Sequence, residues 1–479
     1  MNILMVSSEA VPFSKSGGLA DVLGSLSPAL KKKGEDVRVF MPMYSFIDRK
    51  GFRKSSSFSV EMLGGAEELS TVSKKVDGVE YVGLVHPYFT ERKGIYGDTS
   101  FTPYPDNGER FMLFAASVAG YLKATGYDAD IVHCHDWTAG LVPFFLKENG
   151  IKAKTVFTIH NLAYQGDFSR YDAVLSGLKM PEEFFSGAPD SRRLNMLKAG
   201  LEASDKITTV SPTYANEIQT GEFGCGLDWL LRDRKEDLEG ILNGMDTSEW
   251  DSKHDKFFDE HYSSRNLEGK AALKARVQKE YGLEVNPSIP LFSMISRIAD
   301  QKGYAELLGG NHPVLDELLS KKDFQLIVIG TGDKHYEEKL LELQAKHSGI
   351  SVNLIFSAKA AHEVEGASDF FLMPSRYEPC GLNQMYSLHY GTLPVAHKTG
   401  GLADTIIDIT ENPDKGTGFL FDSLSSEAIE DGVNRAIQFY NENKDGLGKA
   451  IRRAMTEDLS WDRSAGEYIA LYNTLVRRK

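Results

Sequence analysis

The chain has 479 residues, 41% apolar and 25% charged, which suits a globular enzyme of two or three domains with a sizeable buried core. Its formal net charge of −14 argues against general binding to nucleic acid or anionic membranes, so any anionic ligand must be held by a local cluster of bases. Three scattered cysteines (Cys134, Cys225, Cys380), no signal-peptide pattern and no apolar run near about 20 residues exclude a disulfide framework and a membrane span, and point to the cytoplasm.

In chain order, Ile3 to Val6 reads as a buried strand, followed by K-S-G-G-L-A-D (Lys15 to Asp21) and a helix over Val22 to Leu30. Strands are expected at Val37 to Met41, Tyr81 to Val85, Ile131 to Cys134, Thr155 to Ile159, Lys206 to Val210 and Ile241-Leu242, with a long helix from about Arg110 to Leu122. Ser55 to Glu80 reads as a local antiparallel excursion, and Gly166 to Asp190 as polar and irregular. The turn-rich stretch 243–262 reads as a linker. A helix from about Asn266 to Tyr281 then opens a second alternation, with strands at Leu291 to Ile295, Gln325 to Ile329, Val352 to Phe356, Phe370 to Met373, Leu393 to Ala396 and Gly418 to Phe421. The apolar spacing in Ser460 to Arg478 predicts a terminal helix packing back on the first half. The fold expected is α/β, with Rossmann-like domains over 1–242 and 263–455 and a returning segment over 456–479.

The loop after the first strand has a second copy, K-T-G-G-L-A-D from Lys398 to Asp404, after Leu393 to Ala396. A glycine pair at a helix start lets the backbone turn sharply and approach a ligand, and the open N–H groups there favour an anion. Two such units predict Rossmann-like halves facing one another with a phosphate-bearing ligand between them. The plainer reading is that Gly-Gly only starts a helix close to a strand.

The densest signal is F-F-L-M-P-S-R-Y-E-P-C-G-L-N-Q, Phe370 to Gln384: a buried strand, a tight loop carrying Glu378, and a helix beginning at Gly381-Leu382. Its open amides can hold a diphosphate, and Glu378 can accept hydrogen bonds from sugar hydroxyls. Together with K-S-G-G-L-A-D, S-R-I-A-D-Q-K-G (Ser296 to Gly303) and T-I-H-N-L-A-Y-Q-G (Thr158 to Gly166), in that family's order nearly end to end, this chain resembles the bacterial glycogen synthase and plant starch synthase family.

The resemblance implies a GT-B fold, two Rossmann-like domains facing across a deep cleft. It further implies retaining transfer of glucose from ADP-glucose to the non-reducing-end 4-hydroxyl of an α-1,4-glucan such as glycogen or a maltooligosaccharide. By similarity, Arg297 and Lys302 contact the donor diphosphate, and two fixed cations there neutralise charge growing on the leaving group. Lys15 resembles the family lysine that reaches donor or glucan, with Gly17, Gly18 and Asp21 around it. Thr399, Gly400 and Gly401 form the matching turn in the second domain, with Gly381 and Leu382 at the diphosphate. His160 is placed by the donor glucose, where it orients a hydroxyl rather than acting as a base. Asp136 and Asn161 resemble positions on the acceptor side. Phe356 aligns with the aromatic that stacks on adenine. Cys380 is expected beside a helix start, as a neighbour of the donor open to alkylation.

The chain departs from common family patterns at His397-Lys398, Ile298-Ala299 and Asn383, and where many transferases of this architecture carry Glu-x7-Glu, Glu378 is followed by Tyr386. One carboxylate remains where double displacement needs a pair, which favours front-face substitution. In H-C-H-D-W (His133 to Trp137), neighbouring strand residues alternate in direction and cannot all meet one ion, and Asp128-Ala-Asp130 reads as a solvated turn; no metal and no cofactor are expected. Three other readings stand beside this one: a UDP-glucose-dependent glucosyltransferase, a catalytically silent glucan-binding paralogue, and a phosphorylase-like pyridoxal enzyme whose Schiff-base lysine motif is not found.

Overall fold

The computed structural model describes residues 1–476 apart from 63, 99–101, 178, 189–190 and 311. The chain divides into two units, Met1–Gly244 together with Trp461–Lys479, and Met245–Ser460. No described helix is long and apolar enough to cross a membrane.

The first unit carries strands β1 (Asn2–Val6), β2 (Asp36–Pro42), β3 (Arg53–Met62), β4 (Gly65–Val76), β5 (Val79–Val85), β6 (Ile131–His135), β7 (Lys154–Ile159), β8 (Asp167–Phe168), β9 (Phe185–Ser186), β10 (Arg193–Asn195), β11 (Lys206–Thr209) and β12 (Leu238–Gly240). Nine of these form one sheet in the order β12-β11-β7-β6-β1-β2-β5-β4-β3. β1 lies at its centre, parallel to both β2 and β6, and Ile3 to Val6 are fully buried, as a strand covered on both faces requires. Ser55 to Glu80 is indeed antiparallel: β4 pairs in that sense with β3 and β5.

Several boundaries differ from the sequence reading. The first helix is Gly18–Lys32, so the glycine pair of the loop supplies its N-cap and first turn. The last strand is Leu238–Gly240, not Ile241-Leu242; Ile241 N still donates to Thr209 O at 2.9 Å, but the next residues leave the ladder while staying buried. The irregular stretch from Gly166 folds as a small antiparallel sheet, β8-β10-β9, with a helix at Arg170–Leu175; its expected end, Asp190, lies outside the described residues.

The terminal helix Trp461–Leu475 belongs to the first unit, and the expected end at Arg478 lies outside the described residues. Trp461, Ala465, Tyr468, Leu471 and Tyr472 join the core that surrounds β1, which accounts for the apolar spacing. Ser464 Oγ donates to Leu242 O at 2.5 Å, and Tyr472 OH meets His133 Nδ1 at 2.7 Å.

The second unit is built on β13 (Leu291–Ile295), β14 (Gln325–Ile329), β15 (Ile350–Asn353), β16 (Phe370–Met373), β17 (Leu393–His397) and β18 (Phe419–Phe421), all parallel, in the order β15-β14-β13-β16-β17-β18. The order reverses between β13 and β16, as it does between β1 and β6 in the first unit, and the carboxyl side of such a switch point is where doubly wound sheets bind ligands. Of the stretch 243–262, expected as a linker, the residues from Met245 on are instead packed into this unit. Asp255 accepts from His362 at 2.7 Å and from Tyr390, and Phe258 and Tyr262 join a core with Leu273 and Val277. The turn-formers satisfy one another locally while the apolar residues between them anchor the segment.

Candidate active site

In the first unit, the chain leaving β1 turns through Ser7 and Ser8 to Glu9, a residue the sequence reading did not select. Its carboxylate, 2% exposed, accepts from Ser16 N, from Ser16 Oγ at 2.8 Å, from Gly17 N at 3.2 Å and from Tyr96 OH at 2.9 Å. The loop amides expected to receive an external anion are thus partly taken by the chain's own carboxylate. Gly17 is extended, with nothing within 4 Å of a Cβ placed on it, so the loop is open on that side. Lys15 is half-exposed and pairs with Asp21 at 2.7 Å. Burial raises the Asp21 carboxyl pKa and Lys15 opposes it.

Across the switch point, β6 is followed directly by Asp136, a non-glycine residue at φ +56°. Its carboxylate accepts from the backbone of His160, at 2.8 Å, and of Asn161, tying the end of β6 to the end of β7. Burial pushes this carboxyl up to about 7 against those two donors, with Glu9 adding to the rise. His160 turns one ring nitrogen, Nε2, onto His135 Nδ1 at 2.9 Å. His133 and His135 share one face of β6, their rings 4.1 Å apart. His133 is held between Tyr472 OH and Thr158 Oγ1, at 2.7 and 2.5 Å. Burial drives His133 and His160 down to about 3 and His135 well below the usual imidazole range, so all three are neutral at physiological pH.

In the second unit, a cavity of about 210 Å³ opens at the β13/β16 switch point, lined among others by Ser296, Arg297, Lys302, Ser375, Glu378 and Gly381. Lys302 ends a short 3-10 turn, Asp300–Lys302, whose geometry depends on Gly303: at φ +81°, a Cβ there would lie 1.9 Å from Pro374 O. Lys302 Nζ meets Glu378 Oε2 at 2.5 Å, and Ser375 Oγ donates to the same oxygen at 3.2 Å. Arg297, exposed, donates to Gln301 Oε1 at 3.3 Å. Asn383, where the family pattern often has Thr, donates to Ile295 O at 2.8 Å and so fixes the end of β13 beside Arg297.

The helix after Glu378 begins at Asn383, not at Gly381-Leu382; Leu382 is its N-cap and Gly381 turns the chain at φ +71°. Cys380 is therefore set back from the helix start and is 5% exposed, which removes the expected easy alkylation. Thr399 is buried and precedes the short helix Gly400–Thr405. Here the glycine pair serves chain packing: a Cβ on Gly400 would sit 2.0 Å from Glu378 O, and one on Gly401 1.9 Å from Cys380 O. Lys398 lies 3.5 Å from Asp422, unlike Lys15 with Asp21, so the two copies of the loop differ in what they hold.

Two further positions are decisive. Phe356, just past β15, is 98% exposed, an aromatic face offered to solvent at the sheet's carboxyl edge. Tyr386, at the position where a second carboxylate would stand, stacks on Trp250 with centroids 3.9 Å apart, and Trp250 stacks on His362 at 3.8 Å. Glu378 is the only carboxylate lining the cavity among the described residues.

Residues 2–233 match the family described as starch synthase catalytic domain, and residues 281–453 that described as glycosyl transferases group 1. The chain is 41% identical to the glycogen synthase of Treponema denticola, covering 100% of this chain and 99% of that one, and 39% identical to the glycogen synthase of Lactococcus lactis subsp. lactis, covering 99% and 100%. Among solved structures, the catalytic domain of starch synthase IV from Arabidopsis thaliana, bound to ADP and acarbose, matches with a TM-score of 0.88 at 28% identity over 100% of this chain and 99% of that one. A sucrose-phosphate synthase from Thermosynechococcus elongatus, at TM-score 0.62 and 18% identity over 99% and 98%, shares the fold. With sequence similarity running through both Rossmann-like units, the chain belongs to the glycogen synthase and starch synthase family of GT-B glycosyltransferases.

Proposed function

We propose that this glycosyltransferase moves glucose from ADP-glucose to the non-reducing-end 4-hydroxyl of an α-1,4-glucan, with retention at the anomeric carbon. The observation that carries the reading is the β13/β16 cavity, where two cations and one carboxylate stand at the switch point of a parallel sheet. Arg297 and Lys302 bind the donor diphosphate and take up the charge that develops on it as the glycosidic bond breaks. Glu378, already engaged by Lys302 and Ser375, accepts hydrogen bonds from glucose hydroxyls. Gly381, Leu382, Thr399, Gly400 and Gly401 shape the backbone at the diphosphate and the sugar, and Phe356 stacks on the adenine. Cys380 is a buried neighbour of that backbone. The starch synthase IV relative bound to ADP and acarbose supports a nucleotide and a saccharide as ligands here.

The first unit takes the acceptor; by the family resemblance Asp136 and Asn161 are assigned to it, His160 to the donor glucose, and Lys15, once released from Asp21, to donor or glucan. Gly17 and Gly18 keep that loop narrow. The neutral state of His160 supports an orienting role over that of a base. With Tyr386 turned into an aromatic stack, Glu378 is the one carboxylate lining the cavity among the described residues; this favours front-face substitution, in which the leaving phosphate receives the acceptor proton. The reaction as written uses no cofactor and no metal, and the enzyme works in the cytoplasm.

The test is nucleoside diphosphate release with ADP-glucose and UDP-glucose in parallel, with and without glycogen, in EDTA. Glucan-dependent ADP release that survives the chelator is expected. Release from UDP-glucose alone would overturn the donor assignment, and loss of release in EDTA would overturn the metal-independent reading.

A further inference from the structure

The pair His135–His160 carries an assignment that neither the motifs nor the matches supply. His135 is fully buried; its Nδ1 lies 2.9 Å from His160 Nε2, and its own Nε2 is buried without a hydrogen-bond partner. The neighbouring ring of His133, tilted by 33° to that of His135, does not help, because its nitrogens are committed to Tyr472 and Thr158.

Two neutral imidazoles joined through Nδ1 and Nε2 have one proton between those atoms, and there are two ways to place it. If His160 donated from Nε2, His135 would accept at Nδ1 and carry its own proton at Nε2, leaving a buried N–H with nothing to bond. If His135 donates from Nδ1, its Nε2 is an unprotonated lone pair, and His160 accepts at Nε2 and carries its proton at Nδ1. Orphaned buried donors are rarer in native proteins than under-satisfied acceptors, so the second arrangement is the stable one. Among the described residues His160 Nδ1 has no hydrogen-bond partner, and the backbone of His160 is fixed independently by Asp136.

We propose that His135 is a positioning residue for His160, holding it as the Nδ1–H tautomer so that it presents a fixed hydrogen-bond donor, and no basic nitrogen, to the sugar. The inference rests on the reading of His160 as a group that touches the donor glucose. Asp136 fixes where the imidazole sits, and His135 fixes which nitrogen carries the proton. Burial of all three imidazoles keeps the pair neutral, so the donor stays in place across the physiological pH range.

The direct test is a long-range ¹H–¹⁵N correlation spectrum of the histidine-labelled full-length protein, with the two rings assigned from His135→Asn and His160→Asn. Both are expected as Nδ1–H tautomers; His160 protonated at Nε2 overturns the proposal. Kinetics supply the second arm. His135→Leu removes the donor and lets His160 exchange tautomers, so kcat falls about tenfold while the KM for glucan stays within about twofold, the signature of a lost transition-state hydrogen bond. His135→Asn, whose amide N–H overlies Nδ1–H, restores turnover relative to His135→Leu. Equal turnover in the two variants overturns the proposal. If His135→Leu does not fold, the wild-type spectrum alone decides. Absence of glucan-dependent ADP release by wild type would instead count against the proposed function, leaving the tautomer assignment to the spectrum.

Discussion

Replacing Lys302 with Met separates its contribution to the fold from its contribution to catalysis. In the free protein its ammonium is 2.5 Å from Glu378 Oε2, with side chains 19% and 9% exposed. Removing the cation leaves a nearly buried carboxylate with the Ser375 hydroxyl as its remaining hydrogen bond in the cavity. Breaking a buried pair from one side costs about 3–5 kcal/mol, and the partial exposure of Lys302 puts this case near 3 kcal/mol. Lys302→Met is expected to lose about that much by urea unfolding of the second unit's signal, and Lys302→Met/Glu378→Gln to recover most of it, because a neutral amide needs no counter-ion. Catalysis behaves differently. A fixed cation on the leaving diphosphate is worth about 10²–10³ in kcat. On the proposed function Lys302 would exchange Glu378 for phosphate on binding, so the loss in ADP affinity should be smaller, about tenfold. Competitive inhibition by ADP is therefore the discriminating assay: the inhibition constant rises in Lys302→Met and stays within about threefold in Glu378→Gln. ADP binding to Lys302→Met as tightly as to wild type would refute the placement of Lys302 on the diphosphate and reduce it to a partner of Glu378.

Three more outcomes follow from particular groups. His133, fully buried, has its pKa lowered to about 3, so as pH falls through the unfolded value near 6.5 the unfolded chain takes a proton that the folded one refuses, and stability is lost between those limits. From about pH 8 to about pH 5 this amounts to about 2 kcal/mol, and His133→Gln should show a correspondingly shallower loss by denaturant titration; identical pH dependence would contradict the assignment. Phe356→Ala should raise the KM for ADP-glucose about tenfold with no change in melting temperature or glucan KM, since a 98% exposed ring packs against little else; an unchanged donor KM refutes stacking. Gly401→Ala forces a Cβ to 1.9 Å from Cys380 O and should cost about 2 kcal/mol or more, whereas Gly17→Ala, extended and with 4 Å of clear space, should leave thermal stability unchanged.

Local patterns were legible where one chemistry requires one sequence. The buried runs of β1 and β13 read as strands because Ile3 to Val6 are all apolar and only Ser293 interrupts Leu291 to Ile295, and the terminal helix read from its apolar spacing because Trp461, Ala465 and Leu471 all face one core. The family motifs named Arg297, Lys302 and Glu378, and the structure places all three on one cavity. The duplicated loop was legible as a duplication, but its consequence was not. That Glu9 would bond to the amides of the first copy depends on a hairpin-like turn between Ala10 and Ser14, and nothing in S-S-E-A distinguishes that glutamate from a solvated one. In the second copy the glycines serve the close approach of residues 378–380, a long-range fact.

The same limit explains the other misses. The stretch 243–262 carries the composition of a linker, yet Asp255 is buried because His362 and Tyr390, more than a hundred residues away, supply its hydrogen bonds. Cys380 read as open to alkylation because a helix was expected to begin at Gly381-Leu382; with Gly381 at φ +71° the helix begins only at Asn383, and the thiol is buried. His135 gave no signal beyond its place in H-C-H-D-W, since a partner for His160 is defined by β6 and β7 being neighbours in register, His135 opposite Thr158.

The most direct test of the account is to elongate a maltooligosaccharide with ADP-glucose carrying ¹³C at the anomeric carbon and to follow the product by NMR alongside ADP release. The account predicts one new α-1,4-linked glucosyl residue at the non-reducing end for each ADP released, with no β signal. A β-linked product, or ADP release accompanied only by free glucose, would contradict it.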